Sequence, residues 1–176
     1  IYNQREIAVI CNDILPALGS TLERNPELKL GVITPYKLHY LKLKEQLRGT
    51  PYEKCVFTID SIQGSEFDIV VFSFVRSFPK TSNKTVGFLD DMRRLNVSLS
   101  RAKKKLILVG NLNTLSRPEA HNDYGIPGMV SPVDVFSSIA TNVMRLGQLS
   151  DVEKFLKNEP PVETVFEDCP CVVKGR

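Results

Sequence analysis

Two arginines, Arg94 and Arg101, stand seven residues apart in the stretch RRLNVSLSRA. Seven residues are nearly two turns of an α-helix, so this spacing predicts that both guanidinium groups leave a helix on nearly the same face. A guanidinium is always charged, and its planar fork of donors matches a carboxylate or a phosphate. The alternative is a solvated basic face, in which Asp90 and Asp91 could pair with Arg94 at helical spacing.

The turn DSIQGSEFD, residues 60–68, is a second candidate site. Gly64 lets the backbone take a tight or left-handed turn and bring its N–H groups close to a ligand. The Gln63 amide can both donate and accept hydrogen bonds. The carboxylates of Glu66 and Asp68 could accept from sugar hydroxyls or orient an arginine. The alternative is a polar turn between two strands, because turns favour these residue types.

Strands and helices must alternate to position these side chains. Apolar runs predict strands at 30–34, 54–60, 69–75 and 104–111, and helical periodicity predicts helices at 4–22, 37–49 and 88–102. We expect Pro16 to kink or shorten the first helix. Alternation of this kind indicates an α/β fold with a parallel sheet and helices on both faces. Polar clusters at 34–36, 58–68 and 109–111 follow these strands, so we expect a site at the carboxyl edge of the sheet.

Composition excludes few classes of function. The net charge of +3 permits a nucleic-acid partner without requiring one, and no apolar run is long enough to cross a membrane. The spacing Cys169-Pro-Cys171 is not that of a zinc ribbon. The cysteines are interpreted as reduced thiols in a cytosolic setting. His39 has no visible partner and is interpreted as a packing or surface residue. Ile1 is not a start methionine, so we expect a piece of a longer protein.

The chain divides at about residue 115. Residues 1–115 are expected to form the domain core, and 116–176 a loop and helical extension of the same domain. The extension contains predicted helices at 132–147 and 151–158. Its tail, 159–176, is interpreted as an edge strand or as partly disordered.

Three stretches carry a family resemblance. The motifs GVITPY, VFTIDSIQGSEFDIVVFSFVRS and GFLDDMRRLNVSLSRAKKKLILVGN resemble motifs IV, V and VI of superfamily 1 helicases, nearest the branch that contains senataxin and the nonsense-mediated-decay RNA helicase. The resemblance covers residues 1–115. It implies the second, C-terminal RecA-like domain of a two-domain motor, related to P-loop nucleotide hydrolases but without the P-loop itself.

The resemblance implies a role for each matched residue at the nucleotide. Arg101 matches the arginine finger to the γ-phosphate, and Arg94 matches a second arginine that is structural or near the phosphates. Glu66 matches a glutamate placed near the nucleotide. Gln63 and Gly64 match the pair that links the nucleotide to the nucleic-acid side.

The resemblance also implies contacts with the backbone of a bound single strand of RNA or DNA. The matched positions are Thr34, Pro35, Tyr36, Thr58 and Ser61. The family branch implies 5′→3′ movement. It implies an intracellular protein without a membrane partner, cytoplasmic or nuclear.

Two departures bear on activity. Some relatives carry a phosphate-contacting arginine shortly after the motif IV proline and tyrosine, whereas this chain has His39 and Tyr40 there. The chain also lacks the Walker A pattern G-x-x-x-x-G-K-[ST] and a Walker B acid pair. ATP and Mg²⁺ are therefore expected to bind an N-terminal RecA-like domain outside this chain. This chain alone is expected to be inactive. Two alternatives are a degenerate RecA-like module that only binds nucleic acid or protein, and a helicase fused to a nuclease.

Overall fold

Four parallel strands form the centre of the sheet, and two antiparallel strands extend it on one side. The computed structural model describes residues 1–78, 92–115, 149–151 and 171–175, together with the single helical positions Val135 and Ser138. The strands are β1 (Leu30–Thr34), β2 (Val56–Thr58), β3 (Phe67–Ser73), β4 (Ala102–Gly110), β5 (Leu149–Asp151) and β6 (Cys171–Gly175). Their order in the sheet is β2-β1-β3-β4-β6-β5.

Helices flank this sheet, so the predicted α/β, RecA-like architecture is confirmed. The α-helices are α1 (Gln4–Val9), α2 (Leu15–Arg24), α3 (Lys37–Gln46), α4 (Met92–Leu99) and α5 (Leu112–Leu115). A π-helical turn, Ile10–Ile14, joins the first two helices, and short 3-10 turns cover Pro51–Cys55 and Ile59–Ile62.

Alternate residues of the central strands face two separate cores, as the pleat of a strand requires. Val70 and Phe72 of β3 belong to a core that contains Leu95 of α4. Their neighbours Ile69 and Val71 belong to the opposite core, which the first three helices cover. Both faces of β3 are therefore buried, which explains its nearly continuous apolar sequence.

The first helical segment is interrupted where the sequence suggested. A π-helical turn, Ile10–Ile14, interrupts the helix two residues before Pro16. Proline has no N–H to donate to the preceding turn, so a change of helix type is a common consequence. Ile10 and Ile14 both remain buried against the sheet across the interruption.

Two predicted strands have other bounds than the sequence indicated, and the first of them begins two residues earlier, at Phe67, and keeps its length. The strand expected at 69–75 ends at Ser73, because the chain turns sharply at Val75, whose φ is +70°. The strand expected at 54–60 is reduced to Val56–Thr58, because 3-10 turns precede and follow it.

The tail does contribute a strand, although not at the edge of the sheet. β6 pairs antiparallel with β4 on one side and with β5 on the other, so β5 is the edge strand. Asp151, expected to begin a helix, is the last residue of β5. Val135 and Ser138 are helical, as expected for 132–147. The predicted helix at 152–158 and the first residues of the helix predicted at 88–102 lie outside the described residues. Within the described ranges, no helix has the length and apolar character needed to span a membrane.

Candidate functional site

The predicted turn at Gly64 is a type II β-turn. The Ser65 N–H donates to the Ile62 carbonyl at 2.9 Å, Gln63 has φ −59° and ψ 121°, and Gly64 has φ +81°. A type II turn requires a positive φ at its third residue, which is why glycine stands there. Gln63, Gly64, Ser65 and Glu66 are all exposed, so the turn presents its polar groups to solvent.

The loop that contains this turn lies on the same face of the sheet as α4. Ile59 and Ile62 of the loop are buried in one core with Leu95 of α4, which fixes the two segments side by side. Arg94 Nη1 lies 3.7 Å from Asp60 Oδ1 above this apolar contact. Asp90 and Asp91, the other suggested partners of Arg94, lie outside the described residues.

Arg101 follows α4 and lies directly beside the turn. Its Nε donates to the Val97 carbonyl at 2.9 Å, and its Nη1 donates to the Ser65 carbonyl at 3.4 Å. Its Nη2 is 3.5 Å from the Ser100 hydroxyl. All three acceptors are neutral, and no carboxylate of the described residues forms an ion pair with Arg101. An incoming anion could replace these acceptors without leaving a buried charge unpaired.

Acidic side chains near Arg101 are paired with lysines of β4. Glu66 accepts from Lys103 Nζ at 2.7 Å, and this hydrogen bond holds the pKa of Glu66 below its usual range. Asp68 accepts the Lys29 N–H at 3.0 Å and lies 3.1 Å from Lys104 Nζ. The backbone bond from Lys29 is the main cause of the lowered pKa of Asp68. Glu66 is thus a carboxylate at neutral pH and adds a negative charge beside the arginine.

The residues matched to nucleic-acid contacts lie at the opposite end of the strands. Thr34 and Thr58 are register partners at the carboxyl ends of β1 and β2. Thr34 is buried, and its hydroxyl accepts the Tyr36 N–H at 3.5 Å. The Ser61 hydroxyl caps the 3-10 turn, because it accepts the Thr58 N–H at 3.0 Å and donates to the Thr58 carbonyl at 2.8 Å. Pro35 and Tyr36 are half-buried at the same edge.

The expectation of one site along the carboxyl edge is therefore wrong. Phe67 and Ala102 are register partners at the amino ends of β3 and β4. Arg101 directly precedes Ala102 and so lies at this amino edge. The loop from Thr58 to Phe67 runs across the face of the sheet because it buries Ile59 and Ile62. This path carries the Gly64 turn to the amino edge, where Arg101 lies, and leaves the threonines at the carboxyl edge.

A buried polar chain was not anticipated from the sequence. The Asn3 N–H donates to His39 Nδ1 at 3.2 Å, and His39 Nε2 lies 2.9 Å from the Ser73 hydroxyl, which donates to Glu6 Oε2 at 2.6 Å. Burial raises the pKa of Glu6 to about 7 and lowers the pKa of His39 to about 4. His39 is thus a packing residue, as interpreted, but with partners. The available signal was Glu6 itself, an acid four residues before the core residue Ile10.

Among the described residues, no group of three or more His, Cys, Asp or Glu side chains is placed to hold a metal ion. The chain also has no Walker A sequence. The half-buried guanidinium of Arg101 could donate to a phosphate oxygen.

Comparison with known proteins decides the family. Residues 1–113 match the family described as an AAA domain, AAA_12, which is more than half of the chain. The chain belongs to this family, the C-terminal domain of superfamily 1 helicases. It is similar to helicase sen1 of Schizosaccharomyces pombe, with 34% identity over 168 residues that cover 92% of this chain and 10% of that protein.

Further relatives of this helicase domain include proteins named for DNA and for RNA transactions. DNA polymerase alpha-associated DNA helicase A of Saccharomyces cerevisiae is 38% identical over 66% of this chain and 16% of its own length. The regulator of nonsense transcripts 1 homolog of Drosophila melanogaster is 37% identical over 53% of this chain and 8% of its own length. The helicase domain described here spans between 8% and 16% of these three relatives.

Proposed function

We propose that this chain is the C-terminal RecA-like half of an ATP-dependent helicase in which Arg101 is the arginine finger. The observation that carries the proposal is the position of the half-buried guanidinium at the amino edge, where its acceptors among the described residues are all neutral. Its bonds to Ser65 and Ser100 are long, at 3.4 and 3.5 Å, so exchanging them for phosphate oxygens costs little. A charge-assisted bond to phosphate is stronger than either.

The role of Arg101 is to stabilise charge on the transferred phosphoryl group. In phosphoryl transfer, negative charge spreads over the oxygens of the γ-phosphate, and a correctly placed arginine lowers the barrier. The Gly64 turn fixes the direction of the Ser65 carbonyl, which in turn positions the Arg101 guanidinium. Gln63 and Glu66 flank the same point and would sense whether the nucleotide is present. Arg94, tied to Asp60, is a second cation, on the helix that precedes Arg101.

ATP and Mg²⁺ would be held mainly by an N-terminal RecA-like domain of the same protein. When bound there, the nucleotide supplies the free energy of its hydrolysis to the motor. The carboxyl edge, with Pro35, Tyr36 and Thr58, would contact the backbone of single-stranded RNA or DNA. Backbone contacts of this type bind with little sequence preference and weaken as salt rises. Movement is proposed to be 5′→3′.

The test is Arg101→Ala in the full-length protein that carries this chain, assayed by nucleic-acid-stimulated ATP hydrolysis. Arg24→Ala is a matched control, because Arg24 Nε also donates at 2.9 Å to the carbonyl four residues earlier, that of Ser20. We expect Arg101→Ala to lower kcat at least about a thousandfold, as removal of an arginine finger does. Arg24→Ala should leave it unchanged. A fall of less than about tenfold in Arg101→Ala would exclude the finger role.

The second candidate is a RecA-like module that binds nucleic acid or protein without hydrolysing ATP. It is favoured by one observation, the absence of an arginine between Lys37 and Lys44, where some relatives contact phosphate. A wild-type full-length protein that binds an oligonucleotide but shows no stimulated ATP hydrolysis would support this module and reject the motor.

A further inference from the structure

The chain makes a strained turn where it leaves the central strand. The Arg76 N–H donates to the Phe74 carbonyl at 2.8 Å, which closes a γ-turn around Val75. Val75 has φ +70°, and it is the one residue other than glycine with a positive φ in the described part of the chain. A γ-turn of this hand is rare and strained, and a β-branched side chain adds to the strain. Strained backbone of this kind persists only when its surroundings enforce it.

The first residues of the chain enforce this conformation. The Val75 N–H donates to Glu6 Oε2 at 2.9 Å, and the Val75 carbonyl accepts from Asn3 Nδ2 at 3.1 Å. Glu6 is fully buried and is also held by the Ser73 hydroxyl. Both polar groups of the Val75 peptide units are therefore bonded to side chains of the N-terminal segment instead of the sheet.

The result of the turn is the position of Arg76. Arg76 Nε donates to the Tyr36 hydroxyl at 2.9 Å, and the guanidinium carbon lies 5.3 Å from the centroid of the Tyr36 ring. The same carbon lies 5.5 Å from the centroid of the Phe78 ring. In the described ranges no carboxylate forms an ion pair with Arg76, so its charge faces two aromatic rings at a half-buried surface.

The residues after Arg76 are fixed as well. Asn111 Nδ2 donates to the Ser77 hydroxyl at 2.9 Å. The Thr114 hydroxyl accepts the Phe78 N–H at 3.0 Å and donates to the Phe78 carbonyl at 3.2 Å. Thr114 is itself buried, so the backbone of Phe78 is anchored to the fold. A cation and two rings are thus preorganised at the carboxyl edge, one strand away from Thr34 and two strands away from Thr58.

We infer that Arg76, with the rings of Tyr36 and Phe78, is a binding site for single-stranded nucleic acid, a role that the family motifs did not assign to Arg76 or Phe78. This inference rests on the proposed function, because it places the site on the edge proposed for the strand. A phosphate suits the fork of Nη donors, and a base can stack on an aromatic ring. Strain at Val75 is the means by which the fold presents this arginine.

The experiment uses the full-length protein and measures binding of fluorescent single-stranded RNA and DNA of equal length by anisotropy, at several salt concentrations. Arg76→Met removes the charge and most hydrogen bonds, and Arg76→Lys keeps the charge without the planar fork. Arg48→Met is the matched control, because Arg48 is exposed near the end of α3. An abasic strand of the same length separates phosphate contact from base stacking.

We expect Arg76→Met to weaken binding about tenfold, within the range of such contacts, and to lower the salt slope by about 0.7. Arg76→Lys should recover the salt slope but not the full affinity. The abasic strand should lose less affinity on substitution than the normal strand.

The two proposals fail differently. If wild type binds nucleic acid and hydrolyses ATP while Arg76→Met binds as tightly as Arg48→Met, this inference is wrong and the motor stands. If wild type neither binds nor hydrolyses, the proposed function is wrong. An equal loss in Arg76→Met and Arg76→Lys, together with a loss of thermal stability in both, would assign Arg76 a purely structural role.

Discussion

Arg101 donates from Nη1 to the Ser65 carbonyl at 3.4 Å, while its own carbonyl accepts the Phe67 N–H at 2.9 Å. The arginine is thus tied to the two residues that flank Glu66. Since Gly64 sets the direction of the Ser65 carbonyl, the shape of the type II turn decides where the guanidinium lies.

In the full-length protein, Gly64→Ala should lower the rate of ATP hydrolysis because it changes the turn that positions Arg101. Gly49→Ala should not lower that rate. Gly64 and Gly49 have φ values of +81° and +75°, and an added Cβ would meet nothing within 4 Å at either position. The only cost of either substitution is the left-handed backbone, about 1–2 kcal/mol of unfolding free energy. Denaturant unfolding should therefore show similar losses in the two variants. An equal fall in ATP hydrolysis for both would show that stability alone is responsible.

The buried pair Glu6 and His39 should shape the pH dependence of stability. The pKa of Glu6 rises from 4.5 to about 7 in the folded chain, so stability from this group falls as pH rises through that window. The pKa of His39 falls from 6.5 to about 4, so stability from this group rises with pH through that window. Burial is the main cause of both shifts. The two effects oppose each other between about 4.5 and 6.5.

Single substitutions separate the two groups. Relative to wild type, Glu6→Gln should make the unfolding free energy rise more steeply between about pH 4 and 6.5. His39→Gln should make it fall more steeply between about pH 4.5 and 7. The change in unfolding free energy across each pH range should differ from that of wild type by at most about 3 kcal/mol. Urea unfolding at a series of pH values measures both, and variants that run parallel to wild type would contradict the assignment.

Gly110→Ala should destabilise the chain, and Gly19→Ala should stabilise it. A Cβ at Gly110 would lie 2.8 Å from Phe74 Cδ2 and 3.1 Å from Phe74 Cβ, which cannot move without the backbone. Overpacking of this type costs about 1–3 kcal/mol. A Cβ at Gly19 would lie 3.3 Å from the Tyr52 hydroxyl, the mobile end of a side chain. Because alanine is the better helix former, Gly19→Ala should gain up to about 1 kcal/mol in thermal or denaturant unfolding.

Local signals in the sequence were enough for much of the fold. The strand Leu30–Thr34 has the predicted bounds, because an apolar run is followed directly by Pro35, which cannot donate to the ladder. The positive φ of Gly64 was also predictable, since a polar turn with one glycine leaves few alternatives.

Contacts between distant residues account for what the sequence did not predict. Val75 favours a strand by its own propensity, and its left-handed conformation depends on Glu6, 69 residues away. The path of the loop across the sheet depends on burial of Ile59 and Ile62 against α4, which places the Gly64 turn beside Arg101, at the edge opposite Thr34. His39 could not be assigned because its partners, Asn3 and Ser73, are far from it in the chain.

The bonds from Asn3 and Glu6 to Val75 have a practical bearing on how this domain is cut for expression. A clone that starts at Ile7 would keep every strand, yet the N–H and carbonyl of Val75, a residue only 3% exposed, would lose their acceptor and donor. In such a shortened protein, Val75 would be free to leave its strained conformation, and Arg76 would lose its position. If Arg76 binds nucleic acid as proposed, weak oligonucleotide binding by this shortened protein would result from the truncation.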